Sequence, residues 1–459
     1  MKVQTAVIAT LGASLSLSCG SVRQEPPPEP ERQAFVPEGD DRSGEMEPAD
    51  DEDEDPGASA EDAPSAAFDP QDPEASYADA ANAFAAELWR ELRDREDPEQ
   101  NLVVSPASVH IALSMVLGGA RGNTEAELAA ALGVREDQEA FHRAVGAALS
   151  AWNDPDRESY DLSVANRLFG EATYTFLEPF LELTEDVYGA PLEELDFRGE
   201  PEPARVRINE WVESATEDRI QDLLPPGSVD ANTRLVLTNA VYFLGDWVHA
   251  FDPDHTQEQT FHAPEGELEV EMMHQQESFA YADVDGAALL EMPYEGEELS
   301  MVVALPEERG ALEQVEDEVV AGGAEAWFEA LREHEVNVAL PPFEIDPPES
   351  LALSPVLERM GIRDAFSEAD ADLSGMADPA ENEGLPLFLD DVYHKAFVLV
   401  DEEGTEAAAA TGAVVGVTSA PAEPPEIVDF VADHPFLFFI RDRESGAILF
   451  MGRVTDPSA

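Results

Sequence analysis

The stretch DEEGTEAAAAT, from Asp401 to Thr411, is the most informative part of this chain. A glycine, a threonine and four alanines after an acidic start are poor material for a core strand or a ligand site. Side chains of a strand alternate between two faces. One face of this stretch and its continuation holds only small or β-branched uncharged side chains: Thr405, Ala407, Ala409, Thr411, Ala413 and Val415. The pattern indicates a segment that is exposed now and could later enter a sheet.

The alternative interpretation is the end of an alanine-rich helix, because alanine is the best helix former. That interpretation explains neither the start at Gly404 and Thr405 nor the apolar residues 414–417 that follow. The pattern therefore favours the strand interpretation.

Other segments predict regular structure. Ser105 is suited to be the N-cap of a helix that has Pro106 in its first turn. Residues 233–247 form a nearly continuous apolar run, which predicts a strand buried on both faces. Residues 434–440 and 448–454 predict a hairpin that turns at Ser445 and Gly446. A further amphipathic helix is predicted from the spacing of Ile208, Trp211, Val212, Thr216, Ile220 and Leu223.

These segments, in this order, resemble the serpins, protease inhibitors that work by loop insertion. The resemblance runs from about Tyr77 to Pro457 and includes residues 101–108, 119–124, 371–375 and 392–396. It implies an α+β fold: a large central, mostly antiparallel sheet with packed helices, smaller sheets and an exposed reactive-centre loop at about 402–429. We take 77–459 as the serpin domain.

The N-terminal residues have a different composition. Residues 1–19 are predicted to be a secretory signal, too short to span a bilayer. Its end, with Cys19 as the only cysteine of the chain, resembles a bacterial lipoprotein signal whose cysteine is acylated. Leu17 lies two residues before Cys19, whereas that motif usually has leucine three before. Plain secretion and an ordinary thiol are the alternatives to a lipid anchor.

Residues 20–76 are rich in Pro, Glu and Asp and include the acidic run 50–55. Such a segment cannot bury enough apolar surface to offset the entropy of ordering, so we predict a disordered linker. With Cys19 acylated, it would tether the domain to a membrane. We therefore expect a bacterial protein that is secreted or held as a cell-envelope lipoprotein.

The net charge is −75, and Lys2 and Lys395 are the only lysines. This composition excludes a protein that binds nucleic-acid backbones or heparin-like polyanions, because no basic patch can be assembled. Steering toward a basic protease is one interpretation of the acidity. Adaptation to a salty medium is the other, and the even depletion of lysine favours it.

The sequence does not indicate an enzyme. It contains no nucleophile elbow, Walker loop or dinucleotide-binding glycine pattern. The spacings of His249, His255 and His262 fit neither a helical nor a finger-type metal site. Residues 370–381 match the twelve-residue calcium loop, but Pro379 argues against the helix that should follow. We predict no cofactor and no metal.

The resemblance also assigns roles to residues. It implies a polar shutter cluster beneath the opening of the sheet, made of Ser105, Ser108, Asn239 and His394. It places Trp247 and Glu402 in the breach, at the top of the sheet where insertion begins. The hinge of the loop then comprises Glu402, Gly404, Thr405, Ala407, Ala408, Ala409 and Ala410.

The resemblance further implies the chemistry of the loop. Counting fourteen residues on from Gly404, as in the family, places the scissile bond between Thr418 and Ser419. A shifted register would make Val417 or Ala420 the recognised residue. These residues are small or β-branched and uncharged, which favours an elastase-like or subtilisin-like serine protease as the covalent partner. We expect a monomeric inhibitor. A non-inhibitory binding or structural serpin is the alternative, for which Gly412 is a mild argument.

Overall fold

The computed structural model describes residues 73–134, 137–154, 157, 159–405 and 427–459. The α-helices of this part are α1 Pro73–Arg93, α2 Pro106–Gly119, α3 Gly122–Ala131, α4 Gln138–Trp152, α5 Glu178–Tyr188, α6 Pro201–Ala215, α7 Leu312–Val320, α8 Gly323–Ala330 and α9 Ser354–Arg359. Helix α1 begins four residues before Tyr77, inside the range predicted as linker. None of the described helices is long and apolar enough to cross a membrane.

The strands of the described part were numbered in chain order. They are β1 Leu102–Val104, β2 Asp161–Glu171, β3 Leu192–Leu195, β4 Leu235–Asp246, β5 Gln257–Ala263, β6 Gly266–Val284, β7 Ala287–Pro293, β8 Leu299–Pro306, β9 Arg332–Leu340, β10 Phe343–Ile345, β11 Leu351–Ala352, β12 Tyr393–His394, β13 Val398–Val400, β14 Gly404–Thr405, β15 Ile427–Val431, β16 Phe436–Asp442 and β17 Ile448–Val454.

These strands form two large sheets and one small one. A nine-stranded sheet has the order β1-β17-β16-β8-β7-β6-β9-β15, with β5 paired to β6. A six-stranded sheet has the order β10-β13-β14-β4-β2-β3, and β11 pairs with β12. All pairs are antiparallel except β2 with β3 and β9 with β15. The predicted α+β fold with a large, mostly antiparallel sheet is confirmed.

Helix α2 links the sheets to the helical layer. The Ser105 hydroxyl accepts a hydrogen bond from the Ser108 amide at 3.3 Å, and Pro106 occupies the first turn, as the sequence predicted. Because nearly every residue of α2 is buried, its stability comes from packing on all sides rather than from one amphipathic face. The helix therefore holds Ser105 and Ser108 at fixed positions in the core.

The C-terminal hairpin forms as predicted. Strands β16 and β17 are almost fully buried, so they contribute a large share of the apolar core. Gly446 has a φ of +81° in the connecting turn, a conformation that residues with a Cβ adopt only with strain. The turn therefore lies where Ser445 and Gly446 placed it.

The predicted helix from Ile208 to Leu223 is too long. Helix α6 ends at Ala215, and the backbone of Glu217 and Asp218 has positive φ angles. The apolar spacing continues because Ile220 and Leu223 are buried with Val212 in a small cluster of their own. Periodicity reported burial correctly here, but it did not report the helix end.

Candidate functional site

The hinge begins with a tight turn at Asp401. The Asp401 carboxylate accepts hydrogen bonds from the amides of Glu403, at 2.9 Å, and Gly404, at 3.1 Å. The Asp401 amide donates to the Gly404 carbonyl at 3.0 Å. The chain thereby reverses after β13 and enters β14, so that Thr405 pairs with Val400. A single carboxylate directs the loop back into the sheet.

Strand β14 lies between β13 and β4 in the six-stranded sheet. Gly404 pairs with Asp246 and Thr405 with Gly245, both antiparallel. A Cβ on Gly404 would lie 2.1 Å from the Gly245 carbonyl oxygen, far inside van der Waals contact. Only glycine allows the hinge backbone to approach β4 this closely. The first two hinge residues of the predicted strand are therefore already part of the sheet.

Thr405 is buried at 3% exposure. Its hydroxyl is 2.6 Å from the Tyr294 hydroxyl. The Tyr294 ring stacks on Trp247, with centroids 4.5 Å apart and planes 13° apart, and meets Phe243 edge-on. Tyr294 thus joins the hinge to the aromatic residues of the breach. The sequence analysis missed Tyr294, because nothing in its local pattern shows that it meets residue 405.

The two predicted breach residues both contact the hinge turn. The indole Nε1 of Trp247 donates to the Asp401 carbonyl at 3.1 Å, and its amide donates to the Glu403 carbonyl at 2.8 Å. The Glu402 carboxylate accepts a hydrogen bond from the Thr256 hydroxyl at 2.7 Å. Trp247 and Glu402 are brought together as predicted, and they fix the turn from which any longer insertion would start.

Carboxylates surround the head of this strand. Burial, followed by the charges of Glu295 and Asp401, raises the pKa of Asp246. Asp246 belongs to β4 and Asp401 follows β13, so like charges face each other across β14. The repulsion opposes direct pairing of β4 with β13 at this end.

The four shutter residues form one connected network. The Ser105 amide donates to His394 Nε2 at 3.1 Å, and the Ser105 hydroxyl donates to the Leu449 carbonyl at 2.7 Å. The Ser108 hydroxyl donates to Asn239 Oδ1. Asn239 Nδ2 donates in turn to Asn166 Oδ1 at 2.6 Å. Helix α2 is thereby connected to β4, β2 and β12.

Asn166 is a member of this network that the sequence analysis missed. Its side-chain amide donates to the Tyr188 carbonyl at 3.0 Å, which ties the end of α5 to β2. A lone asparagine in a strand has many ordinary explanations, so no sequence signal separates this one from others.

A cavity lies at the far end of β4 from the hinge. It is lined by residues 232–238, by the segment 386–393 and by α2. Strand β14 pairs only with Gly245 and Asp246. The gap between β4 and the chain leading to β13 is thus occupied by the hinge at its head and open at its foot.

The calcium pattern at 370–381 is not supported. The Gly375 amide donates to the Gly119 carbonyl and the Leu177 amide to the Met376 carbonyl, so the segment packs as fold. Asp378 caps a short 3-10 helix. Across the described ranges, no three His, Cys, Asp or Glu side chains are grouped to hold a metal ion.

Several predicted site residues lie outside the described residues. They are Cys19, the hinge alanines Ala407, Ala408, Ala409 and Ala410, and the residues of the scissile bond, Thr418 and Ser419.

Comparison with known proteins supports one family. Residues 79–457 match the model of the family described as Serpin (serine protease inhibitor). The leukocyte elastase inhibitor of Homo sapiens is 41% identical over 383 residues, which cover 82% of this chain and 97% of that protein. An uncharacterized serpin-like protein of Thermococcus kodakarensis is 41% identical over 378 residues, 82% of this chain and 85% of that protein.

A solved structure extends the comparison. Thyroxine-binding globulin in complex with thyroxine superposes with a TM-score of 0.71 at 28% identity, covering 82% of this chain and 98% of that chain.

The shutter network predicts a pH dependence. Burial lowers the pKa of His394 to about 4, whereas the unfolded imidazole titrates near about 6.5. As the pH falls, the unfolded state binds the proton first, so stability decreases through this window. At about 1.4 kcal/mol per pKa unit, His394 accounts for a loss on the order of 3 kcal/mol.

We expect His394→Gln to start less stable at neutral pH and to lose less stability on acidification than the wild type. Thermal unfolding followed from neutral pH to about pH 4.5 measures the difference. His255→Gln, at an exposed position, is the matched control and should follow the wild type. Parallel curves for His394→Gln and wild type would contradict the assignment.

Proposed function

The chain belongs to the serpin family, and from this premise we propose that it is an inhibitory member rather than an enzyme. It would act as a suicide substrate of a serine protease, cut in the loop after β14 and closed by insertion of that loop into the six-stranded sheet. Insertion of a cleaved loop as a new strand is the known mode of this family. The relatives described above include an elastase inhibitor by name.

The observation that carries this proposal is the position of β14. The hinge is already paired with β4 on one side and β13 on the other. If cleavage frees the loop, the same antiparallel register would place Gly412 opposite Thr238 and Thr418 opposite Asn232. The inserting strand would therefore run the length of β4 and end at the open foot of the gap.

The chemistry follows from that geometry. The protease serine attacks the carbonyl carbon of Thr418, an ester forms, and the amine of Ser419 leaves. About 14 residues then enter the sheet, which at about 3.3 Å each moves the tethered protease on the order of 45 Å. About a dozen ladder bonds at about 1 kcal/mol net each are as large as the folding free energy of a typical domain. Distortion of the trapped protease would prevent hydrolysis of the ester.

The target would be an elastase-like or subtilisin-like protease, with the cut at Thr418–Ser419 or one residue away. The printed name of the human relative supports the elastase-like class. A monomer suffices for this mechanism. In the alternative function, a binding or structural serpin, the loop would be cut without trapping its protease.

Thr405→Arg is expected to convert the inhibitor into a substrate. It would place a guanidinium on the buried face beside Tyr294, where an unpaired charge costs several kcal/mol. The yield of denaturant-resistant complex with an elastase, read on a gel, should fall at least about tenfold while cleavage continues. Thr256→Arg, at a position that contacts only the Glu402 carboxylate among hinge groups, tests whether any added cation has this effect. An unchanged complex yield in Thr405→Arg would remove the hinge argument.

Stored strain separates an inhibitor from an ordinary binding protein. Cutting the loop between Ala413 and Ala420 should raise the melting temperature by tens of degrees, because the freed segment satisfies backbone groups of β4 and buries its small-residue face. Nicking an exposed loop normally lowers stability or leaves it unchanged. Melting curves before and after limited proteolysis, with the cut mapped by mass spectrometry, decide between the two. No gain would favour the non-inhibitory function.

We also propose that the protein is bacterial and that Cys19 is acylated, with residues 20–76 as the tether to the cell envelope. Cys19→Ala should then move the protein from the membrane to the soluble fraction with inhibition intact, because a tethered domain folds independently of its anchor. Fractionation and intact mass measure this. A wild type that is already soluble and carries no acyl group would leave plain secretion as the answer.

A further inference from the structure

The cavity at the foot of β4 has a volume of about 230 Å³. A single water needs about 10–15 Å³ on the same measure. The cavity lies at the N-terminal end of β4, whereas the hinge pairs with the C-terminal end. The space is therefore large enough for an organic molecule and is separate from the hinge contacts.

The walls of this cavity are mostly apolar. They include Leu113 and Val116 of α2, Leu237 of β4, and Leu223, Val229 and Leu387 from the surrounding segments. One polar atom on the wall has no partner. Ser228 Oγ is buried and makes no hydrogen bond within the described part of the chain. A buried hydroxyl without a partner is costly, so a ligand with a polar group would gain from bonding to it.

The rim of the cavity is acidic. Asp230 and Asp390 lie on opposite sides, one before β4 and one before β12, with Asp391 beside the second. Asp391 Oδ1 already accepts from the amides of Ser354 and Val392. Asp390 raises its own energy near the others: burial, then Asp230 and then Asp391 raise the pKa of its carboxyl.

The nearby arginine does not neutralise this rim. Arg234 directs its guanidinium to the carbonyl oxygens of Ala231 and Thr233, at 2.9 and 2.8 Å. The charges that act on Asp390 are acidic. A bound cation would relieve this repulsion, whereas an anion would increase it.

We propose that this cavity binds a small organic cation, with its apolar body between α2 and β4 and its protonated amine between the carboxylates of Asp230 and Asp390. Apolar walls with a few polar groups at one end are the usual design of a small-molecule site. The charge on the rim selects the sign of the ligand.

Occupancy would also affect insertion, a step that rests on the proposed inhibitory function. The wall of the cavity at 232–238 is the part of β4 that faces residues 412–418 in the continued register. A ligand there would oppose the last part of insertion. Binding and inhibition would then be coupled through one space, and the coupling would be reciprocal.

Calorimetric titration of the full chain tests the site. The probe is 4-phenylbutylamine, and its neutral counterpart of equal shape is 4-phenylbutanol. We expect the amine to bind at least about tenfold more tightly, equivalent to about 1.4 kcal/mol. Asp390→Asn should remove that preference, and Ala112→Leu should weaken both probes by filling the wall. Asp254→Asn, at an exposed position away from the cavity, should behave as wild type.

Two results would overturn the site: equal affinity for amine and alcohol in the wild type, or an undiminished preference for the amine in Asp390→Asn. The effect on insertion is measured separately, as the fraction of an elastase trapped in complex with and without saturating amine. Bound amine with unchanged trapping would reject the coupling and leave the site. No trapping even without amine would reject the inhibitory function and leave the binding result untouched.

Discussion

The contact between Gly404 and β4 is the constraint on which the arrangement of this protein depends. A glycine without a side chain lets two backbones meet where a Cβ would lie 2.1 Å from a carbonyl oxygen. Once there, residues 404 and 405 separate β13 from β4 along the head of the sheet. The Asp401 turn, the indole of Trp247 and the hydroxyl of Tyr294 all serve to hold this two-residue strand.

The shutter network meets a second demand, which is to satisfy polar groups in the middle of a sheet that must open. Buried donors and acceptors without partners are expensive, so any strand that moves needs its bonds replaced. Ser105, Ser108, Asn239 and His394 are linked from α2 to β4 and β12 through side chains, which can change partners more readily than a continuous backbone ladder. Because His394 accepts from the Ser105 amide, its imidazole is held neutral, and the network depends on that protonation state.

Local signals in the sequence predicted much of this. The N-cap at Ser105, the buried strand at 235–246 and the turn at Gly446 each follow from a few adjacent residues, and the family resemblance supplied the shutter and breach residues. What the sequence could not supply were contacts made across the fold. Tyr294, Asn166 and the turn-forming role of Asp401 depend on which segments meet, and the end of α6 depends on positive φ angles at Glu217 and Asp218 that no apolar spacing shows. The cavity at the foot of β4 is likewise a space between segments distant in sequence.

The acidity of the chain has a local consequence at the gap in the sheet. At the head, Asp246 on the β4 side faces Asp401 on the β13 side, and at the foot Asp230 faces Asp390 in the same sense. Partly buried like charges are screened less by salt than exposed ones, so both pairs oppose closure of β4 against the chain that leads to β13. A neutral strand of small residues placed between them would increase their separation. Thr405 and the alanines that follow in the sequence have that character, so the composition of the loop and the charges of the gap favour the same inserted arrangement.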